Sequence, residues 1–327
     1  MPPKYPDPEN DRQPTSGPAD SSAEEAASEE LTADVSAESQ ESVQDFLGEA
    51  AQQNEAANAE LSSGESNPSP GPASQSDTSE PYIAFVHVYK SFGSLDVLND
   101  VNFFVLPGET LCILGRSGVG KSVSLQILMG FLRADKGEIR VAGENICGFK
   151  EDQLQAIRRK VTMVFQNGAL FDSITIGENV AFPLRERGDL AEDQIQQVSK
   201  GLLEMVGVAG MEDLLPSDLS TGMKRSVAIA RALASQPEAI LYDEPTTMVD
   251  PLMGHLLGDL ISRLKKQLHL TSIVVTHDMR FARKLADRVV FLHQGEARFF
   301  GTMEEMDASE DPVIREFLSL DELVLPV

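Results

Sequence analysis

The chain has 327 residues, and its 52 acidic residues outnumber 27 Lys and Arg, which gives a formal net charge of −25. Binding to nucleic-acid phosphates requires clustered Lys and Arg, so this balance argues against a nucleic-acid partner. The length allows either two average domains or one α/β domain of about 200 to 250 residues with a tail.

Residues 1–80 hold 18 Asp and Glu and two basic residues, Lys4 and Arg12, so 16 of the 25 net negative charges lie there. Aromatic and β-branched residues are scarce in this quarter of the chain. A segment of this composition cannot bury enough apolar surface to offset its ordering entropy. We predict a disordered acidic tail over 1–80. The weakly amphipathic run Glu41–Leu61 allows a transient helix, but its Ala, Gln and Glu content favours disorder.

A folded domain is predicted to begin at residue 81, where a Ser, Pro and Gly stretch gives way to the strand pattern Ile83–Val88. Later strand patterns alternate with helical ones, which predicts an α/β fold with a largely parallel sheet and antiparallel pairs among the early strands. These later strands are Val101–Val105, Thr110–Leu114, Val161–Phe165, Ala239–Tyr242, Ser272–Thr276 and Val289–His293. A mostly helical stretch, about 174–219, predicts an inserted subdomain. The predicted domain spans 81–303, and 304–327 form a C-terminal extension.

The two cysteines, Cys112 and Cys147, form neither a metal-type CxxC pair nor a disulfide-dense pattern. They are expected to be plain thiols in a reducing compartment. The sequence contains no apolar run of about 18 residues, and its N-terminus lacks the apolar stretch of a signal peptide. We therefore expect a soluble chain that stays inside the cell.

An apolar strand, a glycine-rich segment and a helical pattern follow one another after residue 109, and the middle segment matches the phosphate-loop pattern G-x-x-x-x-G-K-[ST]. Glycines let backbone N–H groups surround a phosphate at a helix N-terminus, Lys121 neutralises phosphate oxygens, and the Ser122 hydroxyl ligates Mg²⁺. The residues expected to bind a nucleotide are Gly115, Arg116, Ser117, Gly118, Val119, Gly120, Lys121, Ser122 and Val123.

The apolar strand Ala239–Tyr242 ends in two carboxylates, Asp243 and Glu244. A strand aimed at the phosphate loop would place both beside the γ-phosphate. We expect Asp243 to hold Mg²⁺ and Glu244 to polarise the attacking water.

Three further segments complete a recognisable order. Gln166 follows one strand, Leu219-Ser220-Thr221-Gly222-Met223 opens a helix, and His277 follows another strand. Alone, each has an ordinary explanation: a loop glutamine, a helix N-cap or a surface histidine. Together with the phosphate loop and the paired carboxylates, they resemble the ATP-binding cassette (ABC) ATPase domain over about residues 82–303.

This resemblance implies a P-loop NTPase fold that binds ATP and Mg²⁺ and hydrolyses ATP to ADP and phosphate. It implies that Phe92 stacks on adenine, with Tyr89 as the rival candidate. Gln166 would sense Mg²⁺ and the attacking water, and would join Ser122 and Asp243 at the metal. Glu244, His277 and Gln166 would be catalytic.

The resemblance also implies a homodimer that sandwiches two ATP molecules. The signature residues would bind the γ-phosphate held by the partner cassette, and Asp250 would let the two sites communicate. Two departures from the family occur in the signature, Thr221 in place of a glycine and Met223 in place of a glutamine. The β-branched side chain of Thr221 puts the close approach of a phosphate to the backbone in doubt. The backbone N–H groups of the signature can still donate hydrogen bonds. The signature residues are Ser220, Thr221, Gly222 and Met223.

The segments 165–172, 178–186 and 311–318 resemble the Mla-type branch of this family. That branch implies phospholipid transport with a multi-span permease and an MCE-domain protein, at the cytoplasmic face of the inner membrane. The alternative is an ordinary coupling loop, in which Leu170, Phe171 and Phe182 accept a helix of any permease. An apolar C-terminal run is expected to brace the dimer, with core packing as the alternative. This run comprises Leu318, Leu320, Leu323, Val324, Leu325 and Val327.

Two other functions stay open. The chain could be the ATPase subunit of another small-substrate importer, or a soluble ABC protein that uses ATP binding as a regulatory switch. Soluble ABC proteins usually carry two cassettes in one chain, and one phosphate loop occurs here, which disfavours the switch. A GTPase or small-molecule kinase is disfavoured because the sequence has no N-K-x-D motif and the signature would be left unexplained.

Overall fold

The computed structural model describes residues 37–63 and 80–322, and two sheets organise this part of the chain. The first sheet contains β1 (Ile83–Phe92), β2 (Leu95–Val105), β4 (Lys136–Val141) and β5 (Glu144–Asn145). Its spatial order is β2-β1-β4-β5, and every pair is antiparallel. The early strands are therefore antiparallel, as their short connections predict.

The second sheet contains β3 (Thr110–Leu114), β6 (Val161–Val164), β7 (Ala239–Asp243), β8 (Thr271–Val275), β9 (Arg288–His293) and β10 (Glu296–Gly301). Its spatial order is β10-β9-β3-β8-β7-β6. Every pair is parallel except the β9–β10 hairpin at one edge. The predicted largely parallel sheet is confirmed. Its parallel strands end at one common edge, where the predicted site residues follow β3, β6, β7 and β8.

Helices connect most of these strands. They are α1 (Ala37–Ser63), α2 (Lys121–Leu128), α3 (Glu151–Lys160), α4 (Ile176–Arg187), α5 (Glu192–Met205), α6 (Thr221–Leu233), α7 (Pro251–Leu268), α8 (Met279–Leu285), α9 (Met303–Asp307) and α10 (Pro312–Glu322), with short 3-10 turns at Ile146–Gly148 and Pro216–Asp218. Helices α4 and α5 and the second turn occupy the range predicted for the helical insertion. Across 37–63 and 80–322, no helix combines the length and apolarity that crossing a bilayer requires.

Helix α4 shows how local sequence sets the insertion's boundaries. Oγ1 of Thr175 accepts a hydrogen bond from the Glu178 amide at 3.2 Å, and Oε2 of Glu178 accepts one from the Thr175 amide at 3.3 Å. This capping box satisfies two donors that a helix start leaves unpaired. The helix ends at Gly188, whose φ of 74° suits glycine.

Two hydrophobic clusters lie on opposite faces of the second sheet, because adjacent residues of a strand point to opposite sides. In β3, Leu111 and Ile113 belong to the cluster that includes the first sheet, α2 and α3. Cys112 and Leu114 belong to the cluster that includes the insertion and α6 to α8. Coverage of both faces explains why β3, β7 and β8 are buried along their whole length rather than at alternate positions.

The prediction of disorder is wrong for residues 37–63, which form α1. The helix carries apolar residues at three- and four-residue spacing, which places them on one face: Val43, Phe46, Leu47 and Ala50. All four are buried, and the first three belong to the cluster that includes the insertion and α6 to α8, which we call the second cluster. The prediction of disorder used the average composition of residues 1–80, and these four apolar residues are too few to change that average. Residues 1–36 and 64–79 lie outside the described part, and disorder there stays a prediction.

The C-terminal helix α10 buries two side chains in the core, Ile314 at 1% exposure and Phe317 at 8%, and Leu318 packs partly against the same cluster. For Leu318, the alternative of core packing is therefore correct. The other apolar positions of that run lie outside the residues whose side chains are described, and their role in bracing a dimer stays a prediction. They are Leu320, Leu323, Val324, Leu325 and Val327.

Candidate active site

The segment between β3 and α2 follows a path that two glycines make possible. Gly115 has a φ of 149°, and a Cβ there would lie 2.5 Å from the carbonyl oxygen of Leu292. Gly120 has a φ of 102°, and a Cβ there would lie 2.9 Å from the carbonyl oxygen of Val97. Side chains do not fit at such distances. No side chain caps the start of α2, so its first N–H groups stay available to an anion.

Lys121 begins α2, and its side chain folds back into the loop. Its Nζ donates to the carbonyl oxygens of Gly115 at 2.9 Å and Arg116 at 3.2 Å. The same nitrogen lies 3.3 Å from Oε1 of Glu244. Because Lys121 is 5% exposed, its charge needs these partners, and the ammonium is placed to neutralise phosphate oxygens held by the loop.

Strand β7 ends beside the phosphate loop, as the sequence predicts. Oγ of Ser122 donates to Oδ1 of Asp243 at 2.8 Å. Burial raises the pKa of the Asp243 carboxyl; the Ser122 hydrogen bond lowers it, the Glu244 charge raises it and the Lys121 charge lowers it. A nearby cation would favour the ionised form of this carboxyl.

The pair formed by Ser122 and Asp243 fits a magnesium site. Mg²⁺ in nucleotide enzymes takes one or two protein oxygens, and waters and phosphate complete its octahedron. A hydroxyl beside a carboxylate supplies such a donor set. Within the described ranges no cluster of three or more His, Cys, Asp and Glu could hold a metal ion.

Glu244 is held by contacts to both of its carboxylate oxygens. Its Oε2 lies 2.7 Å from Nδ1 of His277 and accepts a hydrogen bond from Oγ1 of Thr247 at 3.2 Å. Its backbone has a φ of 48°, and its amide donates to the carbonyl oxygen of Val275 at 2.9 Å. Positive φ is uncommon outside glycine, so the surrounding contacts determine where this carboxylate lies. A carboxylate held this way can accept a proton from water.

Most of these groups line one cleft of about 1140 Å³, which is large enough for a nucleotide. Of the predicted phosphate-loop and carboxylate residues, Gly115, Val119 and Asp243 are not among those that line it. The predicted site residues along it are Arg116, Ser117, Gly118, Gly120, Lys121, Ser122, Val123, Gln166, Glu244, Asp250 and His277. Val97, Thr247, Met248 and Phe317 line it as well, and the sequence did not assign them to the nucleotide. Thr247 and Met248 could have been found from their nearness to Asp250. Phe317 comes from α10 and carries no local signal.

Phe92 ends β1 and is not among the residues that line this cleft. Its ring is 47% exposed, and Nζ of Lys90 lies 5.2 Å from the ring centroid. Val97 of β2 lies closer to the phosphate loop, as its contact with Gly120 shows. Adenine stacking by Phe92, and by its rival Tyr89, stays a prediction.

The signature residues lie outside the cleft. Ser220 caps α6, and its Oγ accepts a hydrogen bond from the Met223 amide at 3.3 Å. Ser220 and Thr221 are exposed, and Gly222 is buried. A Cβ on Gly222 would lie 2.9 Å from Cε of Met253. Exposure at the start of α6 leaves Ser220 and Thr221 accessible to a second molecule, and their role in trans stays a prediction.

Asp250 is the N-cap of α7, where its Oδ1 accepts a hydrogen bond from the Met253 amide at 2.9 Å. Met253 therefore contacts the Asp250 loop through its backbone and Gly222 through its side chain. The cleft and the signature are thus joined by one residue of α7.

Comparison with known proteins agrees with this geometry. The family model described as ABC transporter matches residues 98–247. The phospholipid transport ATP-binding protein MlaF of Haemophilus influenzae is 39% identical over 69% of this chain and 86% of its own length. The Arabidopsis thaliana protein trigalactosyldiacylglycerol 3, chloroplastic, is 37% identical over 70% of this chain and 71% of its own. The methionine import protein MetN of Rhizobium johnstonii is 40% identical, but the chain spans 61% of its length.

A solved structure shares the fold. The ATP-binding cassette MJ0796, in a dimeric post-hydrolysis state bound to ADP and phosphate, matches with a TM-score of 0.63 and 32% identity. The match covers 68% of this chain and 98% of that cassette. The phosphate loop, the strand-end carboxylates and these similarities lead to one conclusion: the chain belongs to the ABC transporter family, as an ATPase cassette that hydrolyses ATP to ADP and phosphate.

Proposed function

We propose that this ABC transporter ATPase powers MCE-type phospholipid transport across a cell envelope. It would lie at the cytoplasmic face of the inner membrane, bound to a multi-span permease that works with an MCE-domain protein. The observation that carries the proposal is the similarity to MlaF, which extends over most of that protein. The relative named for trigalactosyldiacylglycerol supports a lipid as well.

The site residues predicted from the sequence have separate roles in this proposal. The phosphate loop and Lys121 bind the β- and γ-phosphates, and Ser122, Asp243 and Gln166 hold Mg²⁺, which neutralises charge on the phosphates when bound. Glu244 accepts a proton from the attacking water while His277 contacts the γ-phosphate. Phe92 stacks on adenine.

A second cassette completes the site in the same proposal. Ser220 and Gly222 of its signature bind the γ-phosphate at the start of α6, and Asp250 couples the two sites. Closure of this dimer on ATP and its release after hydrolysis supply the movement that the permease uses.

An exposed aromatic pair supports docking to a permease. The rings of Phe171 and Phe182 meet edge to face with centroids 5.2 Å apart, and they are 46% and 41% exposed. Asn179, which is fully buried, holds this arrangement: its Oδ1 accepts from the Phe171 amide at 2.8 Å, and its Nδ2 donates to the Phe171 carbonyl at 3.1 Å. Exposed apolar side chains that are held rigidly are typical of interaction sites.

Affinity purification from native membranes tests the proposal. We expect the chain to recover a multi-span permease and an MCE-domain protein, and Leu170→Asp with Phe171→Asp to lose both without unfolding. Leu95→Asp, at a 65% exposed position of β2, is the matched control and should retain them. Recovery of a permease with a solute-binding protein would favour small-substrate import, as the MetN similarity suggests. Recovery of no membrane protein would favour a regulatory switch.

A further inference from the structure

Helix α1 packs against both the helical insertion and the α/β core. Its buried stripe, Val43, Phe46, Leu47 and Ala50, joins a cluster to which both parts contribute. Helix α5 of the insertion provides Ile195, Val198 and Leu202, and α7 of the core provides Leu257, Leu260, Ile261, Leu264 and Leu268. One face of α1 therefore spans two parts of the molecule.

Phe46 is the point at which α1 meets both parts at once. Nε2 of Gln236, in the segment that leads into β7, donates to the Phe46 carbonyl oxygen. The guanidinium carbon of Arg187, the last residue of α4, lies 5.5 Å from the centroid of the Phe46 ring. Arg187 also donates to the side-chain oxygen of Gln236. The three residues link the helix, the insertion and the core.

Asn54, in the second half of α1, forms hydrogen bonds to the core. It is 2% exposed, and its Nδ2 donates to the carbonyl oxygens of Leu268 at 3.1 Å and Pro237 at 3.4 Å. Leu268 ends α7, so its carbonyl is one of those that a helix terminus leaves without a partner in the helix. The buried Asn54 amide favours a single packing position for α1, because in any other position the amide would lose these hydrogen-bond partners.

We propose that α1 is an intramolecular strap that fixes the orientation of the helical insertion relative to the α/β core, and so positions the signature residues for ATP hydrolysis. The insertion leaves the core after β6 and returns through α6, whose first residues carry the signature. Helix α1 adds a further attachment, because it packs against both α5 of the insertion and α7 of the core. Without it, the insertion can turn about its two chain connections, and packed elements of this kind move at low cost.

Pulsed electron paramagnetic resonance on the full chain tests the strap. Spin labels on Gln197→Cys in α5 and Asp152→Cys in α3, both exposed, report the distance between insertion and core, in a Cys147→Ser background. Cys112 is buried and should stay unlabelled. We expect Phe46→Ala with Asn54→Ala to widen the distance distribution roughly twofold, because the restraint on rotation is lost. Gln53→Ala, on the exposed face of the same helix, should leave it unchanged.

Measuring the ATPase kinetics of the same variants distinguishes a role of α1 in positioning the signature from a role in packing alone. We expect kcat for ATP to fall several-fold while KM changes little, because the phosphate loop lies on the core. An unchanged distance distribution in a variant that still melts cooperatively would overturn the strap, and an unchanged kcat with a widened distribution would overturn its positioning role. If the double variant fails to fold, Asn54→Ala alone gives the same comparison. No transported substrate enters the test, so its outcome is independent of the lipid proposal.

Discussion

Nδ1 of His277 lies 2.7 Å from one carboxylate oxygen of Glu244, and Nζ of Lys121 lies 3.3 Å from the other. The carboxylate is thus held at both ends by groups that also face the phosphate side of the cleft. Its geometry depends on hydrogen bonding, which an amide would largely keep. Its ability to accept a proton depends on its charge, which an amide lacks.

Glu244→Gln should therefore retain ATP binding and lose turnover. We expect kcat to fall roughly 100-fold to 10,000-fold, the range for removal of a general base. Phosphate release and equilibrium nucleotide binding measure the two effects. Glu304→Gln, on the exposed side of α9, is the control and should hydrolyse ATP normally. Turnover near the wild-type rate in Glu244→Gln would show that another group activates water.

Asp243→Asn should raise the melting temperature of the nucleotide-free protein at neutral pH in magnesium-free buffer. Burial raises the pKa of this carboxyl in the folded state, so the folded protein loses stability as pH rises from the ordinary aspartate range through that higher pKa. Below the ordinary range the carboxyl is protonated in both states, and the gain should vanish. Thermal melts across acid and neutral pH measure this difference. An equal gain at every pH would rule out titration as the cause, and ATPase activity should be lost throughout.

Leu47→Ala should destabilise the chain although the residue lies in a segment of strongly acidic composition. Leu47 is 4% exposed within the second cluster, and truncating a buried leucine typically costs about 2 to 5 kcal/mol of unfolding free energy. Urea unfolding measures the loss, and Gln52→Ala, on the exposed face, is the matched control. Equal stability of the two variants would mean that α1 contributes nothing to the fold in solution.

Gly222→Ala should lower both stability and ATPase activity, for two separable reasons. The new Cβ would lie 2.9 Å from Cε and 3.0 Å from Cβ of Met253, so that side chain must shift. Adding Met253→Ala removes the outer atoms of the clash and should partly restore the melting temperature. Activity should stay low if the backbone at Gly222 must approach a phosphate closely. Recovery of activity along with stability would assign Gly222 to packing alone.

The sequence predicted that the phosphate loop and the end of β7 lie together, as the hydrogen bond between Ser122 and Asp243 shows, because a local pattern marks each part. The roles of the individual site residues stay predictions. The strand Thr110–Leu114, the glycine-rich loop and the helix start at Lys121 are consecutive in the sequence, and β7 carries its chemistry at its own end. The sequence allowed only a transient helix over Glu41–Leu61 and favoured disorder. The packed helix α1 was missed because its partners lie far along the chain: Gln236 is 190 residues from Phe46, and Leu268 is 214 from Asn54. Four apolar residues in an acidic segment form a stable helix only once such partners exist.

The alternation of side chains along β7 limits where the cassette can accept an inserted residue. Ile240 and Tyr242 enter one hydrophobic cluster and Leu241 enters the other, and Asp243 follows at the end of the strand. A single inserted residue in β7 would exchange both faces and rotate the carboxylate away from Ser122. The length of this strand is therefore tied to the chemistry at its end, and an inserted residue should not be tolerated here.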